Sequence, residues 1–296
     1  MHNFMRVMRL PAVAAGLALC ATSQAQDRTI PDYDDVQPDY WGTDAVRDLM
    51  GEDRFYFRLG ALYFVPDVKT NSITAKNLSE VAEAALGPSP QQLEGEATSD
   101  PLLLPGVIFG YRLPWGDGSW SLEAIASAPP TLEIKAKGRL ADEPLVEEVN
   151  GIPSGVPALG EEVAETKAAP PLLTLVKRFR TDHRIQPYMG AGIGYLFTYD
   201  TKVTNPIATE LGEPDIEVEN KFGWAGQLGV DIHLDGHWWL ALDAKYVSFP
   251  NVTATVEDLV VKAPGLPQFQ YAEVGDVEYD ADINAFAYSL GIGFTF

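Results

Sequence analysis

The sequence predicts an all-β protein, an eight-stranded antiparallel transmembrane β-barrel with short periplasmic turns and long extracellular loops. Three observations predict it: an uncharged C-terminal stretch that alternates in side-chain size, similar stretches upstream, and acidic charge that is concentrated between them. A period of two places alternate residues on opposite faces of a strand. Large apolar residues on one face and small residues on the other suit a strand between lipid and a crowded lumen.

The C-terminal stretch, Asn284 to Phe296, shows this alternation most clearly. Large apolar residues occupy every second position, and small or weakly polar residues lie between them. An aromatic C-terminal residue after alternate hydrophobics resembles the closing-strand signal of bacterial outer-membrane barrels, so the barrel assembly machinery is an expected partner. The residues assigned to this signal are Tyr288, Leu290, Ile292, Phe294 and Phe296. The last strand of a soluble barrel or sandwich is the alternative interpretation.

Residues 1–25 are predicted to be a signal peptide. Arg6 and Arg9 precede an apolar run, and a small-x-small site ends at Ala25. The run is too short to span a bilayer as a helix, so strands must carry any membrane insertion. The single cysteine, Cys20, lies within this peptide. Disulfides, thiolate catalysis and cysteine metal sites are therefore not expected in the mature chain.

Residues 26–54 are predicted to be an acidic, flexible periplasmic segment, and residues 55–296 the barrel. The acidic segment has nine acids against three bases and lacks a clear period. The seven other strands are predicted at Phe55–Pro66, Leu104–Leu113, Trp120 to about Ile134, Leu172–Phe179, Ile185–Tyr199, Phe222–Leu234 and Trp238–Phe249. Short turns connect the second to the third, the fourth to the fifth, and the sixth to the seventh strand.

Four long connections, at residues 67–103, 135–171, 200–221 and 250–283, alternate with the short turns. Outer-membrane barrels show this asymmetry, with short turns in the periplasm and long loops outside. Both chain termini are then expected on the periplasmic side of a Gram-negative outer membrane.

The charge distribution supports the same arrangement. Without the two arginines of the signal peptide, 19 bases remain against 42 acids, a formal charge of −23. The four long segments carry −4, −3, −4 and −6, and the acidic segment carries −6, so the strands and short turns are neutral. A neutral wall within lipid and acidic parts in water would produce this division. Such acidity also argues against a nucleic-acid partner.

The lumen is predicted to have a charged floor below an apolar vestibule. The charged floor is assigned to Arg58, Arg112, Glu123, Asp231, Asp243 and Lys245, and the apolar channel lining to Leu62, Phe64, Ile108, Ile125, Tyr188 and Leu196. Bases and acids buried together are expected to pair, because an isolated buried charge costs several kcal/mol. A hydrophobic solute could enter from outside and leave sideways between strands, or the charges could simply form a structural plug.

A short helix is predicted in the first long connection. Ser79 is the expected cap, and Gly87 followed by Pro88 ends the helix. Its apolar stripe could line the entrance or only support the loop.

The strands resemble those of the OmpW family of small outer-membrane barrels. The sequence from Phe55 to Pro66, with Arg58 and Gly60, is similar to that family's opening strand, and Pro187–Tyr195 is similar to its fifth. Pro170–Pro171, Trp120 and the closing Gly-Phe-Thr-Phe ending at Phe296 also fit. The resemblance covers the strands from Phe55 to Phe296. It implies an eight-stranded barrel with a narrow, largely apolar channel for uptake of small hydrophobic molecules.

No catalytic residue, metal site or cofactor is predicted. The four histidines do not converge with a serine and an acid, and no phosphate loop or His-rich metal spacing occurs. The expected partners are outer-membrane lipid, the assembly machinery and small hydrophobic solutes. The alternatives are a structural or surface-interaction barrel whose acidic loops bind cations or a partner, a soluble acidic binding barrel, and a barrel enzyme.

Overall fold

The computed structural model describes residues 54–116, 118–144, 146–266 and 271–296. The predicted signal peptide and the acidic segment up to Asp53 lie outside these ranges, so both remain predictions. Within the ranges, no helix has the length and hydropathy that a membrane-crossing helix requires.

The described residues form strands almost throughout. In chain order the strands are β1 (Phe55–Lys76), β2 (Gln91–Leu93), β3 (Glu96–Thr98), β4 (Leu102–Arg112), β5 (Trp120–Ser127), β6 (Thr131–Lys137), β7 (Glu148–Val149), β8 (Ile152–Pro153), β9 (Glu162–Ala168), β10 (Leu172–Arg178), β11 (Ile185–Leu196), β12 (Thr198–Val203), β13 (Asp215–Val218), β14 (Lys221–Asp235), β15 (Trp238–Lys262) and β16 (Tyr271–Thr295). Three short helices join them: α1 (Glu80–Leu86), α2 (Arg139–Asp142) and α3 (Pro206–Thr209).

Eight of these strands close into a ring, in the order β1, β4, β5, β10, β11, β14, β15, β16. Every pairing is antiparallel, and β16 completes the ring because it pairs with both β15 and β1. Tyr56 lies opposite Thr295 at one end of the closing ladder. Closure leaves no open edge, which a sheet in hydrocarbon requires, since lipid cannot hydrogen-bond to backbone groups. The predicted fold class is confirmed.

Side chains alternate between the inner and outer faces along most of the wall of the ring. On the outer face Phe109 is 56% exposed and Trp224 is 53% exposed, whereas on the inner face Tyr56 is 1% and Arg58 is 3% exposed. The outer face is a band of large apolar side chains. A contiguous apolar surface of this extent suits contact with lipid acyl chains.

Three strands continue well beyond their predicted ends. The structure extends β1 to Lys76 and β15 to Lys262, and β16 already begins at Tyr271. Acidic composition led us to predict loops here, but the outward-facing acids are satisfied across the ladder. Asp280 accepts hydrogen bonds from Ser72 Oγ at 3.0 Å and from Thr253 Oγ1 at 2.7 Å. We call the end of the barrel with these extensions the distal end, and the opposite end the short-turn end.

A second sheet stands at the distal end, with the strand order β12, β9, β6, β3. Along the chain, β12 follows β11 and β6 follows β5, whereas β9 precedes β10 and β3 precedes β4. Strand β13 pairs with the extended part of β15. The third predicted strand is therefore too long, because β5 ends at Ser127, before Pro129–Pro130. The fifth is also too long, because β11 ends at Leu196 and Thr198 already pairs with β9. We call β3, β6, β9 and β12 the distal sheet.

Helix α1 forms where it was predicted. Ser79 Oγ accepts a hydrogen bond from the backbone N–H of Ala82 at 3.3 Å. The apolar face of the helix packs against a buried cluster that we call the distal core: Val146, Val156, Ala208, Leu259, Val261, Ala263, Leu266 and Val274. This packing favours the supporting role for the helix over the entrance role.

Close backbone packing between β1 and β16 leaves no room for a side chain at Gly60, which can be tested. A Cβ atom at this position would lie 2.1 Å from the carbonyl oxygen of Leu290, whereas a Cβ at Gly226 would meet nothing within 4 Å. We expect Gly60→Ala to lower the free energy of unfolding by about 1–3 kcal/mol, the usual cost of overpacking. Gly226→Ala is the matched control and should change it little. Urea unfolding in lipid vesicles measures both variants, and equal midpoints would contradict the tight β1–β16 contact.

Candidate functional site

A layer of charged, hydroxyl and amide side chains crosses the lumen in mid-barrel. We call it the polar layer, and its members are Tyr56, Arg58, Glu123, Arg178, Tyr188, Gln227, Asp231, Asp243 and Lys245. All of them are buried, and Glu123 is completely inaccessible. Each comes from an inward position of β1, β5, β10, β11, β14 or β15. The polar inward residues of these strands therefore meet at the same height along the barrel axis.

Inward glycines make the room that these large side chains occupy. A Cβ at Gly110 would lie 1.9 Å from the Tyr56 ring, and a Cβ at Gly229 would lie 2.3 Å from the Tyr188 ring. Gly229 is also the cross-strand partner of Tyr188. An eight-stranded barrel is only wide enough for side chains to fill it, so large residues need small partners.

Glu123 lies at the centre of the polar layer. Its Oε1 accepts hydrogen bonds from Tyr56 OH at 2.7 Å and from Arg178 Nη2 at 3.0 Å. Its Oε2 accepts from Gln227 Nε2 at 3.1 Å and forms an ion pair with Arg58. Two guanidinium groups and two neutral donors thus satisfy both oxygens of one buried carboxylate.

Arg178 connects this centre to Asp231. Its Nε donates to Asp231 Oδ2 at 2.9 Å, its Nη1 donates to Ser121 Oγ at 2.7 Å, and its Nη2 donates to Tyr56 OH at 3.0 Å. The fork of N–H donors on an arginine allows such simultaneous contacts. Arg178 therefore ties β10 to β1, β5 and β14.

Tyr188 joins the remaining ion pair to the network. Its hydroxyl accepts from Arg58 Nη1 at 2.6 Å and donates to Asp243 Oδ2 at 2.7 Å. Asp243 also forms an ion pair with Lys245 on the same strand. The hydroxyl is thus a bridge between the Arg58–Glu123 pair and the Asp243–Lys245 pair.

The polar layer balances in formal charge. Arg58, Arg178 and Lys245 face Glu123, Asp231 and Asp243. Desolvated charges are tolerated only when they are paired and hydrogen-bonded. A layer with no net charge, whose side chains are hydrogen-bonded and ion-paired to one another, resists the passage of ions and of apolar solutes. Either kind of solute would have to break these hydrogen bonds and ion pairs to pass.

On the short-turn side of the polar layer, Arg112 and Trp239 fill the lumen. The Arg112 guanidinium lies 5.3 Å from the Tyr56 ring and 5.9 Å from the Trp239 ring, within cation–π range. Its Nη2 also donates to Thr295 Oγ1 at 3.2 Å. Aromatic and guanidinium planes thus close this end of the interior.

On the distal side, the lumen becomes apolar. A small void of about 30 Å³ lies among Leu62, Ile108 and Ile125, with Arg58 and Lys245 at its floor. Beyond it, Leu172, Leu196 and Phe249 form a buried apolar cluster.

A larger cavity of about 230 Å³ lies beyond this cluster, between the distal sheet and the extended β1, β15 and β16. Phe64 and Leu196 contribute to its near wall, and the rest of the lining is mostly aliphatic: Pro66, Val68, Ile73, Leu93, Leu132, Ile134, Leu140, Leu159, Val163, Val203, Ile216, Val218, Val252, Val256, Leu259, Val277 and Ile283. The Tyr279 hydroxyl forms a hydrogen bond with Thr70 Oγ1 at 3.0 Å, and burial raises the pKa of Tyr279 above its usual value. The hydroxyl therefore stays neutral. We call this space the distal cavity.

Comparisons with known proteins agree with this geometry. The family model described as OmpW family matches residues 154–296. An uncharacterized outer-membrane protein of Sinorhizobium fredii is 30% identical over 196 residues, which cover 64% of this chain and 79% of that protein. The chain belongs to the OmpW family. The resemblance that the strand sequences indicate is thereby confirmed.

Two further comparisons place this OmpW-family chain among outer-membrane barrels. Outer membrane protein W of Vibrio cholerae is 26% identical over 151 residues, 51% of this chain and 60% of that protein. The crystal structure of the outer membrane protein OprG from Pseudomonas aeruginosa matches with a TM-score of 0.60 at 22% identity, covering 84% of this chain and 99% of that one. The latter likeness shows the shared fold. The chain is an outer-membrane barrel.

The structure brings most of the predicted floor residues together. Arg58, Glu123, Asp231, Asp243 and Lys245 all lie in the polar layer. Arg112 differs, since it lies nearer the short-turn end, over Tyr56 and Trp239. Because it lies two residues before the turn at Pro114, it is closer to the short-turn end than the other predicted floor residues.

The predicted apolar lining divides between two spaces. Leu62, Ile108 and Ile125 surround the small void, while Phe64 and Leu196 reach the distal cavity. Tyr188 was predicted to be part of the apolar lining, but its hydroxyl is hydrogen-bonded to Arg58 and Asp243 in the polar layer. Of the predicted closing-strand signal, Tyr288, Leu290, Ile292 and Phe294 lie on the outer face of β16, and the exposed Phe296 follows the end of that strand.

Sequence reasoning missed Arg178, Tyr56 and Gln227 as functional partners. Arg178 follows Leu172, Thr174 and Val176 at a spacing of two, which was the available signal for an inward position. The neighbouring Lys177 obscured it. In the part of the OmpW-family chain that the structure describes, no group of His, Cys, Asp and Glu side chains is arranged to hold a metal ion.

Arg178 and Lys177 form a natural matched pair for testing the polar layer. Arg178→Met leaves Glu123 and Asp231 with fewer partners in a buried site, so we expect a loss of about 3–5 kcal/mol in the free energy of unfolding. Lys177 lies on the other face, with Nζ 5.2 Å from the Trp120 ring. Lys177→Met should cost at most about 1 kcal/mol. Urea unfolding in vesicles provides the comparison, and equal losses would contradict a network that depends on Arg178.

Proposed function

We propose that this protein takes up small hydrophobic molecules across the outer membrane through a narrow, partly closed pathway. In this proposal the distal end faces outward, and both termini lie in the periplasm. The observation that carries the proposal is the distal cavity, an apolar space above a neutral polar layer. The assembly machinery that inserts outer-membrane barrels would recognise the closing strand.

The size of the distal cavity supports a small ligand. An engineered apolar cavity of about 150 Å³ in another protein binds benzene. The distal cavity, at about 230 Å³, has room for a molecule of one or two rings or for a short alkyl chain. Its aliphatic walls can contribute burial of apolar surface but few hydrogen bonds, so they favour hydrophobicity over a particular functional group.

The polar layer supports a sideways exit rather than axial passage. An apolar solute that continued along the axis would have to separate the bonded ions of the layer without replacing their contacts. The small void offers another direction. It is bounded by inward residues such as Leu62 and also by outward ones such as Leu59 and Leu290, beside Gly60 and Gly291. The wall is therefore thin there, between the lumen and the lipid.

A structural or surface-interaction barrel is the alternative function. The acids on the outer side of the β16 extension, Asp276, Glu278, Asp280 and Asp282, favour it, since they could meet cations or a partner. Several of them already accept hydrogen bonds from the chain, for example Asp282 from Asn71 Nδ2 at 3.0 Å. In this alternative the distal cavity would take up no solute and the polar layer would act only as a plug.

Filling the distal cavity tests the proposal directly. Ala254 lines the cavity, and its neighbour Thr255 lies outside the lining. We expect Ala254→Phe to slow the uptake of a neutral apolar dye, N-phenylnaphthylamine, into vesicles that contain the protein, because the ring occupies the solute's space. Thr255→Phe is the matched control and should retain uptake. Unchanged uptake by a folded Ala254→Phe protein would favour the structural alternative.

Adding charge to the pathway is an independent test. We expect Leu62→Asp and Phe64→Asp each to reduce uptake of the same dye, because a carboxylate in an apolar lumen would be hydrated and would repel an apolar solute. Thr255→Asp adds the same charge outside the cavity lining and serves as control. Planar-bilayer conductance, recorded in parallel, should stay low if the polar layer blocks ions. Normal uptake by both variants would disprove an apolar pathway past these residues.

A further inference from the structure

The wall around the distal cavity consists of two groups of strands. One group contains the extended β1, β16 and β15 together with β13, and the other is the distal sheet. Antiparallel ladders hold each group together. The groups meet at two places that have no direct ladder, one between β1 and β3 and one between β12 and β13.

The junction between β1 and β3 is closed by other bonds. Strand β2 pairs with β1, so that Ile73 lies opposite Leu93. The backbone N–H of Ala97 donates to Thr70 Oγ1 at 3.2 Å, and Gln92 Nε2 donates to Thr74 Oγ1 at 2.9 Å. Solute would have to break these contacts to pass here.

The junction between β12 and β13 is closed much less. We call it the seam, formed by Thr198–Val203 and Asp215–Val218. Each strand pairs on its other side, β12 with β9 and β13 with β15. Between the two, the described residues form no ladder. At the base of the seam the backbone N–H of Thr198 donates to Asn220 Oδ1 at 3.4 Å, a weak hydrogen bond.

The seam leads straight into the distal cavity. Thr198 and Val203 on one edge and Ile216 and Val218 on the other all contribute to the cavity lining. The far end of the distal region is filled by the distal core, and the near end by Leu172, Leu196 and Phe249. Separating β12 from β13 therefore opens the cavity at the smallest cost in hydrogen bonds.

The outer rim of the seam is acidic. Asp215 and Glu217 are exposed on β13, and Lys202 is the exposed base of β12. Asp200 pairs with Lys167 at 2.6 Å, and the hydrogen bond from Lys167 lowers the pKa of Asp200. This carboxyl therefore stays ionised at neutral pH. An excess of carboxylates at an opening repels anions and leaves neutral molecules unaffected.

We propose that the seam between β12 and β13 is the port by which neutral apolar molecules, in preference to anionic ones, enter the distal cavity from the outer side. This inference rests on the proposed uptake function. It assigns to that function an entrance in the side wall of the distal region rather than at its tip.

Closing the seam reversibly tests the port. The chain has one cysteine, Cys20, which is replaced by Ser in every variant. Lys202→Cys with Asp215→Cys places one thiol on each edge, and a flexible bis-maleimide with a reducible spacer joins them. Uptake of N-phenylnaphthylamine into vesicles is measured before joining, after joining and after reduction of the spacer. We expect joining to lower uptake to the level of protein-free vesicles, and reduction to restore it.

A control pair separates the seam from general stiffening of the distal region. Lys135 on β6 and Glu162 on β9 are cross-strand partners within the β6–β9 ladder. Lys135→Cys with Glu162→Cys removes the same charges, and joining these thiols should leave uptake unchanged. An equal loss of uptake in both joined proteins would overturn the port, and so would normal uptake through the joined seam.

The test also distinguishes the port from the proposed function. If Ala254→Phe slows uptake but the joined seam does not, the cavity is used and the port is wrong. If neither slows uptake, both proposals fail.

The charge preference of the port has its own test. The unjoined protein should take up N-phenylnaphthylamine faster than its anionic relative, anilinonaphthalene sulfonate, and Asp215→Asn with Glu217→Gln should narrow that difference in rate. Equal rates for the two dyes in the unmodified protein would refute the charge preference.

Discussion

The need to satisfy every backbone N–H and C=O group inside hydrocarbon governs the rest of this structure. A ring of eight strands meets that need, because β16 pairs with β1 as well as β15 and no edge remains. The same ring has a narrow interior that side chains must fill. Polar inward residues on six strands are therefore forced together, buried from bulk solvent. Their charges can persist there only as a balanced, hydrogen-bonded set, which is the arrangement that Glu123, Arg178 and their neighbours form.

Much of this could be predicted from the sequence, because period-two alternation is a local property. It correctly places Arg58, Glu123, Asp231 and Lys245 on the inner face. Arg178 was missed because its own strand is short and Lys177 lies beside it, so the register was ambiguous. The height at which inward residues meet depends on the stagger between strands, which no single strand records. Arg112 consequently lies nearer the short turns than the other floor residues, and the Tyr188 hydroxyl lies in the polar layer rather than in the apolar lining.

The distal region could not be predicted for a different reason. Acidic residues were taken as signs of loops, yet Asp280 and Asp282 lie in a long strand whose neighbours supply hydrogen-bond donors. Composition reports that a segment faces water, but it does not report whether the segment is a loop or a solvated face of a sheet. The distal cavity arises from contacts between segments far apart in the chain, such as Ile134 and Val256. Such contacts leave no local pattern.

Together, the two levels of the interior suggest why a pathway for apolar solutes would open through the wall at both ends. Along the axis, the polar layer offers a solute only bonded charges, and displacing them costs several kcal/mol per ion. Across the wall beside Gly60 and Gly291, the solute exchanges an apolar cavity for lipid and keeps its apolar surface away from water. Each Å² kept from water is worth about 25 cal/mol. A route from the seam to the distal cavity, then past Leu172, Leu196 and Phe249 to the small void and the bilayer, would displace only apolar side chains. It therefore never requires the solute to cross the charged layer. The layer can then keep the membrane sealed to ions while apolar molecules pass above it.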